Sequence, residues 1–152
     1  MKTIAIDFDG VIHAYSKGWH DGSIYDEPVT GIFDFIQKLF DNGYSVYIFS
    51  TRKPAQIKKW LQFHIMMSEY EVDGMGCDPS YYKYTKYGYT CEKIPFWKKF
   101  WNKSYVIGIS RRKLPATVYI DDRSIKFDPS ELNSLFEAVE QFKTWQETGA
   151  QS

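Results

Sequence analysis

Apolar residues run together at Ile4-Ala5-Ile6 and again at Val46-Tyr47-Ile48-Phe49, and each run ends abruptly in polar side chains. Runs this short suit strands buried on both faces. Between them Ile32, Phe35, Ile36, Leu39 and Phe40 recur with the period of one helix face, so Pro28 is expected to open a helix that Gly43 stops. Pro54 starts a second amphipathic pattern through Ile57, Trp60, Leu61 and Ile65. Strand, helix, strand, helix implies parallel strands joined by right-handed crossovers, and so an α/β fold: a Rossmann-like parallel sheet with helices on both faces.

Val11 to Glu27 has no period and is rich in Gly, Ser, His and Tyr, which makes it a loop leaving the first strand. From about Val72 to Arg112 the Tyr, Trp and Lys residues follow neither period. That stretch reads as a small basic, aromatic insertion, with a weak third strand near Val72 and a helical turn or two at Phe96 to Trp101. Order returns in Ala116 to Ile120, a strand that runs into Asp121-Asp122-Arg123. Asp128, Pro129 and Glu131 then have the cap, first-turn proline and capping-box spacing of a last helix carrying Leu132, Leu135, Phe136, Val139 and Phe142. The tail after about Thr148 is expected to fray. No internal repeat occurs, and residues 1–152 read as one domain with an insertion at about 72–112.

Composition adds little until it is divided along the chain. With 43% hydrophobic and 25% charged residues it is ordinary globular material, and a formal net charge of zero argues against a uniformly basic nucleic-acid binder. Yet Cys77 to Arg112 holds eight Lys or Arg against two acidic residues, with ten aromatics, so the remainder is acidic by about six charges. Cations interleaved with aromatic faces suit nucleotides or single-stranded nucleic acid, and equally suit a small aromatic subdomain with solvated lysines. No apolar stretch is long enough for a signal peptide or membrane span, which leads to the expectation of a cytoplasmic protein without membrane contact. Cys77 and Cys91 are then expected as free thiols.

The chemistry gathers where the strands end. On an extended chain residues two apart share a face, so Asp7 and Asp9 project together while Phe8 turns inward. Two like charges that close need a cation between them or a shared proton. Ser50, Thr51 and Arg52 end the second strand, and Asp121 and Asp122 end the last. In an open α/β sheet ligands sit beyond the carboxyl ends of the strands, where all these residues are expected. Their hard oxygens fit Mg²⁺, with one or two carboxylates completed by water and phosphate oxygens. Lys113, just upstream of the last strand, is placed to offer positive charge beside a phosphate.

At these positions the chain resembles the haloacid dehalogenase-like superfamily of phosphohydrolases. Asp7-Phe8-Asp9-Gly10-Val11 looks like the first motif, Phe49-Ser50-Thr51 the second, Lys113 the third, and Tyr119-Ile120-Asp121-Asp122 the fourth. Asp7 to Trp19 and Arg112 to Phe127 look most like the small stand-alone members of phages and bacteria. The resemblance implies a Mg²⁺-dependent phosphatase acting on a phosphate monoester, most plausibly a nucleotide or a nucleic-acid end. Asp7 would be the nucleophile that forms an aspartyl-phosphate, and Asp9 would protonate the leaving oxygen and then deprotonate water. Ser50 and Lys113 would complete the catalytic set. Gly10, Thr51 and Arg52 would bind substrate, and Asp7, Asp9, Asp121 and Asp122 would hold the metal, the backbone carbonyl of Asp9 completing the shell in relatives.

Other readings stand beside these. Asp-x-Asp-Gly alone is often a turn or a calcium loop, Ser50 and Thr51 could cap the following helix, and Asp122 could pair with Arg123. His13, His20 and His64 lack ligand spacing and are expected in loop or core roles. From another class, the chain could be a nucleic-acid-binding or regulatory module that keeps the fold without turnover. Within the enzyme class, the substrate could be a phosphosugar or a phosphoprotein.

Overall fold

The structure, a computed structural model, describes residues 2–64, 71–75, 80–85, 88–93 and 106–149, with the backbone alone for 71–75, 80–85, 88–93 and Val106. It divides into two compact units, Met1–Ile120 and Asp121–Ser152. The first unit contains β1 (Thr3–Asp7), α1 (Ile32–Asp41), β2 (Ser45–Phe49), α2 (Pro54–His64), β3 (Glu71–Met75), β4 (Ser80–Thr85), β5 (Gly88–Lys93), β6 (Val106–Ser110) and β7 (Val118–Ile120). Its sheet has the order β5-β4-β3-β6-β2-β1-β7. Pairings from β3 through β6, β2 and β1 to β7 are parallel, whereas β4 and β5 extend β3 as an antiparallel meander. This is an α/β fold, and its parallel strands give the sheet one carboxyl edge.

The core follows from alternation. Ile4 and Ile6 of β1 lie in register with Val46 and Ile48 of β2, which pair with Ile107 and Ile109 of β6. These six side chains form one buried cluster with Ile32, Ile36 and Phe40 of α1 and Ile57, Trp60 and Leu61 of α2. Burying a side chain of this kind contributes about 1.5–3 kcal/mol. The alternate residues Thr3, Ala5, Ser45 and Tyr47 are also buried. There the Thr3 and Ser45 hydroxyls lie 2.8 Å apart, and the phenols of Tyr47 and Tyr119 both donate to the carbonyl of Leu114 in the β6–β7 connection. Burial pushes the Tyr47 phenol far above its usual range.

Several expectations need correction. The first helix begins at Ile32 rather than Pro28, because Pro28 pairs with His13 in an isolated bridge and the Val29 N–H donates to Ile12. The expected third strand near Val72 is β3, but the aromatic stretch after it holds a hairpin and β6, a strand between β3 and β2 that carries core isoleucines. Ile65, Cys77, Phe96 to Trp101 and the tail beyond Gly149 lie outside the described residues.

The second unit is built from local rules. Asp128 accepts from the Ser130 N–H at 2.9 Å and opens a 3-10 turn, Pro129–Glu131, that leads into α3 (Leu132–Glu140). Phe142 falls beyond that helix. A further short helix, α4 (Trp145–Thr148), starts with the capping box of Thr144 and Glu147. Among the described residues no helix is long and apolar enough to cross a membrane.

Candidate active site at the strand ends

Register fixes the carboxyl edge. Asp7 ends β1 opposite Phe49, Phe49 pairs with Ser110 on β6, and Ile120 ends β7 opposite Ile6, with Asp121 the next residue of the chain. The four parallel strands β6, β2, β1 and β7 therefore stop within a residue of one another. The chain leaves β1 in a tight turn, in which the N–H groups of Val11, Ile12 and His13 all donate to the carbonyl of Phe8. Phe8 itself is fully buried, which anchors the residue between the two carboxylates. Gly10 has φ 85°, a left-handed conformation that favours glycine, and its N–H donates to the His13 carbonyl at 2.8 Å. That constraint accounts for a glycine at this place in the motif.

Asp7 and Asp9 differ sharply in surroundings. Asp7 is half-buried, and its Oδ1 accepts from the Phe8 N–H at 2.9 Å. Asp9 is gripped at both oxygens: Oδ1 by His13 Nδ1 at 2.8 Å and Oδ2 by Arg52 Nε at 2.7 Å. Burial alone would raise the proton affinity of Asp9, but the hydrogen bonds from His13 and Arg52, with the Arg52 charge, outweigh it and hold the carboxyl below its usual range. The expected acid role needs the opposite direction. These contacts favour Asp9 in its ionised form.

The two groups gripping Asp9 are themselves fixed. His13 is fully buried, and its Nε2 faces the backbone N–H of Asp26 at 3.0 Å. A backbone N–H only donates, so Nε2 accepts, Nδ1 carries the hydrogen, and that hydrogen points at Asp9. Arg52 is 3% exposed, donates from Nη1 to the Gly22 carbonyl at 2.7 Å and stacks its guanidinium 4.5 Å from the Trp19 ring centroid. Among the described residues its Nη2 has no hydrogen-bond partner. Arg52, expected to bind substrate, thus has structural contacts on Asp9, Gly22 and Trp19.

Ser50 is buried and accepts from the Arg52 N–H at 3.2 Å, so its hydroxyl also orders the turn into α2. Its own N–H donates to the Ser110 carbonyl at 3.1 Å. Thr51 is exposed. Lys113 is exposed too, with its ammonium 4.6 Å from the centre of the Tyr119 ring, a cation–π contact rather than a contact with a carboxylate. In the second unit the Asp121 carboxylate accepts from the Arg123 N–H at 2.8 Å, so Arg123 meets Asp121 through its backbone.

The arrangement thus brings Asp9, Ser50 and Arg52 together and adds His13, which sequence reasoning placed only as a core or loop residue. The available signal was its position four residues after Asp9, in a loop with no helical period. Trp19 was equally hidden, because stacking on Arg52 across 33 positions leaves no trace in a single sequence. Most of the basic aromatic stretch that suggested nucleotides lies outside the described side chains. Comparison with known proteins gives no family: no family model, curated protein or solved structure matches the chain.

Proposed function

We propose that the protein is a haloacid dehalogenase-like, Mg²⁺-dependent phosphatase that hydrolyses a phosphate monoester through an aspartyl-phosphate on Asp7. The observation that carries this reading is the register of β1 against β2 and β7, which ends β1 at Asp7, the first carboxylate of the Asp-x-Asp motif, opposite Phe49, the residue before Ser50. In the first step an Asp7 oxygen bonds to phosphorus as the bond from phosphorus to the leaving oxygen breaks. In the second, water attacks the same phosphorus, the aspartyl oxygen departs, and Asp9 takes the proton that water loses. That second role starts from an ionised Asp9, the form its contacts favour, and one of those two contacts gives way to the incoming proton. In the first step the leaving oxygen takes its proton from water while Asp9 stays ionised.

The donor chemistry fits a hard divalent cation in part. Asp7 and the carboxylates after β7, Asp121 and Asp122, are the residues that would hold Mg²⁺, whereas both oxygens of Asp9 are already engaged and leave its backbone carbonyl as the donor. Bound there, Mg²⁺ would offset the charge of the phosphoryl oxygens and of Asp7. Ser50 would receive a phosphoryl oxygen by hydrogen bond, and Lys113 would swing from Tyr119 to meet another.

The clamp also favours a second reading, since a carboxylate locked by Arg52 and His13 serves a binding or regulatory module that keeps the fold without turnover. Phosphate release from an aryl phosphate, with Mg²⁺ and then with EDTA, separates the two. An enzyme of the proposed kind loses its activity in EDTA and in Asp7→Asn. Activity that survives in Asp7→Asn would remove the covalent mechanism, and no activity on any phosphate ester would leave the binding module.

A further inference from the structure

A cleft of about 520 Å³ opens between residues 22–27 and α2, outside the residues assigned above to phosphoryl transfer. That volume lies within the range of small-molecule sites. Its helix side carries Gln56, Lys59, Trp60, Phe63 and His64, which recur at the spacing of one helix face. Trp60 and His64 rings lie 4.3 Å apart and Phe63 packs edge-on to His64 at 5.0 Å, yet Phe63 remains 75% exposed. An aromatic face is thus held ready in the wall of a cavity. Around it stand an amide that both donates and accepts (Gln56), a donor (Lys59) and an acceptor (Glu27). A flat ring with donors and acceptors on its edge uses every one of these groups. A sugar meets the aromatic face only through its C–H bonds and not through a π system, and an alkyl chain leaves the polar groups without partners.

The opposite wall is fastened to the candidate active site. Gly22, at one end of it, gives its carbonyl to Arg52, and Asp26, near the other, gives its N–H to His13. Trp60 reaches across to the Asp26 carbonyl at 3.2 Å. The two side chains that grip Asp9 therefore also hold the wall of the cleft, so a ligand in the cleft is positioned against the element that orients Asp9.

We propose that this cleft binds a nucleobase, and that the substrate is accordingly a nucleotide; the second half of this statement rests on the phosphatase reading, and the first does not. Calorimetric titration of the full chain with adenosine and uridine, without Mg²⁺, tests the cleft itself, with ribose as the non-aromatic control. The expected result is nucleoside binding that weakens about tenfold in Phe63→Ala, the loss of one base–aromatic stack, and weakens also in Gln56→Ala, while ribose does not bind. Both side chains are exposed, so folding is preserved and circular dichroism confirms it. Failure of both nucleosides to bind, or binding equal in the wild type and both variants, overturns the proposal. Kinetics then address the substrate. With nucleoside monophosphates Phe63→Ala is expected to raise KM about tenfold at unchanged kcat, while acetyl phosphate, which has no ring, is hydrolysed by wild type and variant alike. Turnover of acetyl phosphate without nucleoside binding sinks the cleft and leaves the phosphatase, whereas nucleoside binding without turnover of any ester sinks the phosphatase and leaves the cleft.

Discussion

β1 and β7 lie side by side and both run into paired aspartates, but the two ends are built on different physical terms. At β1 the residue between the carboxylates is a fully buried phenylalanine, and Asp9 is held by His13 and Arg52, both of which are buried. At β7 the strand is only three residues long, Val118 and Tyr119 are 46% and 41% exposed, and the Asp121 carboxylate folds back onto a backbone N–H two residues on. Packing imposes the position of Asp9; a short-range turn sets that of Asp121. The first end is therefore expected to be rigid and costly to disturb, and the second to be adjustable until a ligand organises it.

The largest expected effect is on turnover. Asp7→Asn is expected to lower phosphate release at least about 10⁴-fold, because an amide cannot form the acyl-phosphate and loss of a nucleophile removes a whole covalent step. Rapid acid quench should trap phosphate on the wild type and none on the variant. Wild-type rates in Asp7→Asn would falsify the covalent route.

Next in size is the clamp. Arg52→Ala leaves the Asp9 carboxylate, with 20% of its side chain exposed, without its ionic partner and removes the support of Gly22, so unfolding free energy is expected to drop by about 3 kcal/mol. Asp121→Ala is expected to change it by less than about 0.5 kcal/mol, as at other exposed positions. Urea titrations of both variants measure the contrast directly, and equal losses at the two sites would erase the distinction drawn between the strand ends.

The parts of this design that were legible in the sequence are those governed by burial and by neighbours in the chain. Ile4, Ile6, Val46 and Ile48 announce two core strands because short apolar runs have few other uses, and Asp7 and Asp9 announce a site because their spacing puts two charges on one face. Ile36 and Phe136 show the limit of periodicity. Both sit in an apolar helical stripe, yet Ile36 is fully buried and Phe136 is 71% exposed. A period says which residues share a face, not what that face meets. Ile107 and Ile109 went unread because Gly108 interrupts their run and a cationic, aromatic stretch leads into it, though the register places them against Val46 and Ile48. The grips of His13 and Arg52 on Asp9 depend on a loop path that no local rule encodes.

Acid sensitivity sharpens the same comparison. Since Asp9 has its proton affinity lowered on folding, it stabilises the protein above the unfolded-state value near 3.8, and that contribution disappears as pH falls through the lower folded-state value. Stability is therefore expected to decline below about pH 4 in the wild type. Asp26 is lowered as well, and keeps part of the slope. Asp9→Asn should flatten the decline between pH 5 and pH 3 in urea titrations; a slope identical to the wild type would mean that Arg52 and His13 do not hold a charge there.

The smallest expected effect is the one that tells whether the exposed end has a partner. Without a divalent ion Asp121→Ala is expected to be nearly neutral, because its one described side-chain contact is a turn hydrogen bond within an exposed segment. A ligand that binds only the folded chain stabilises it by RT ln(1 + [L]/Kd), about 1.4 kcal/mol at ten times Kd. If Asp121 helps to hold Mg²⁺ with Asp7, titrating Mg²⁺ should raise the melting temperature of the wild type and leave those of Asp121→Ala and Asp7→Asn unmoved. Ca²⁺ at matched ionic strength controls for screening, since a surface charge effect responds to either ion, whereas a small octahedral site distinguishes them. A Mg²⁺ response of equal size in the wild type and in Asp121→Ala would assign the ion to another set of oxygens and leave the carboxylates after β7 as solvent-facing turn residues.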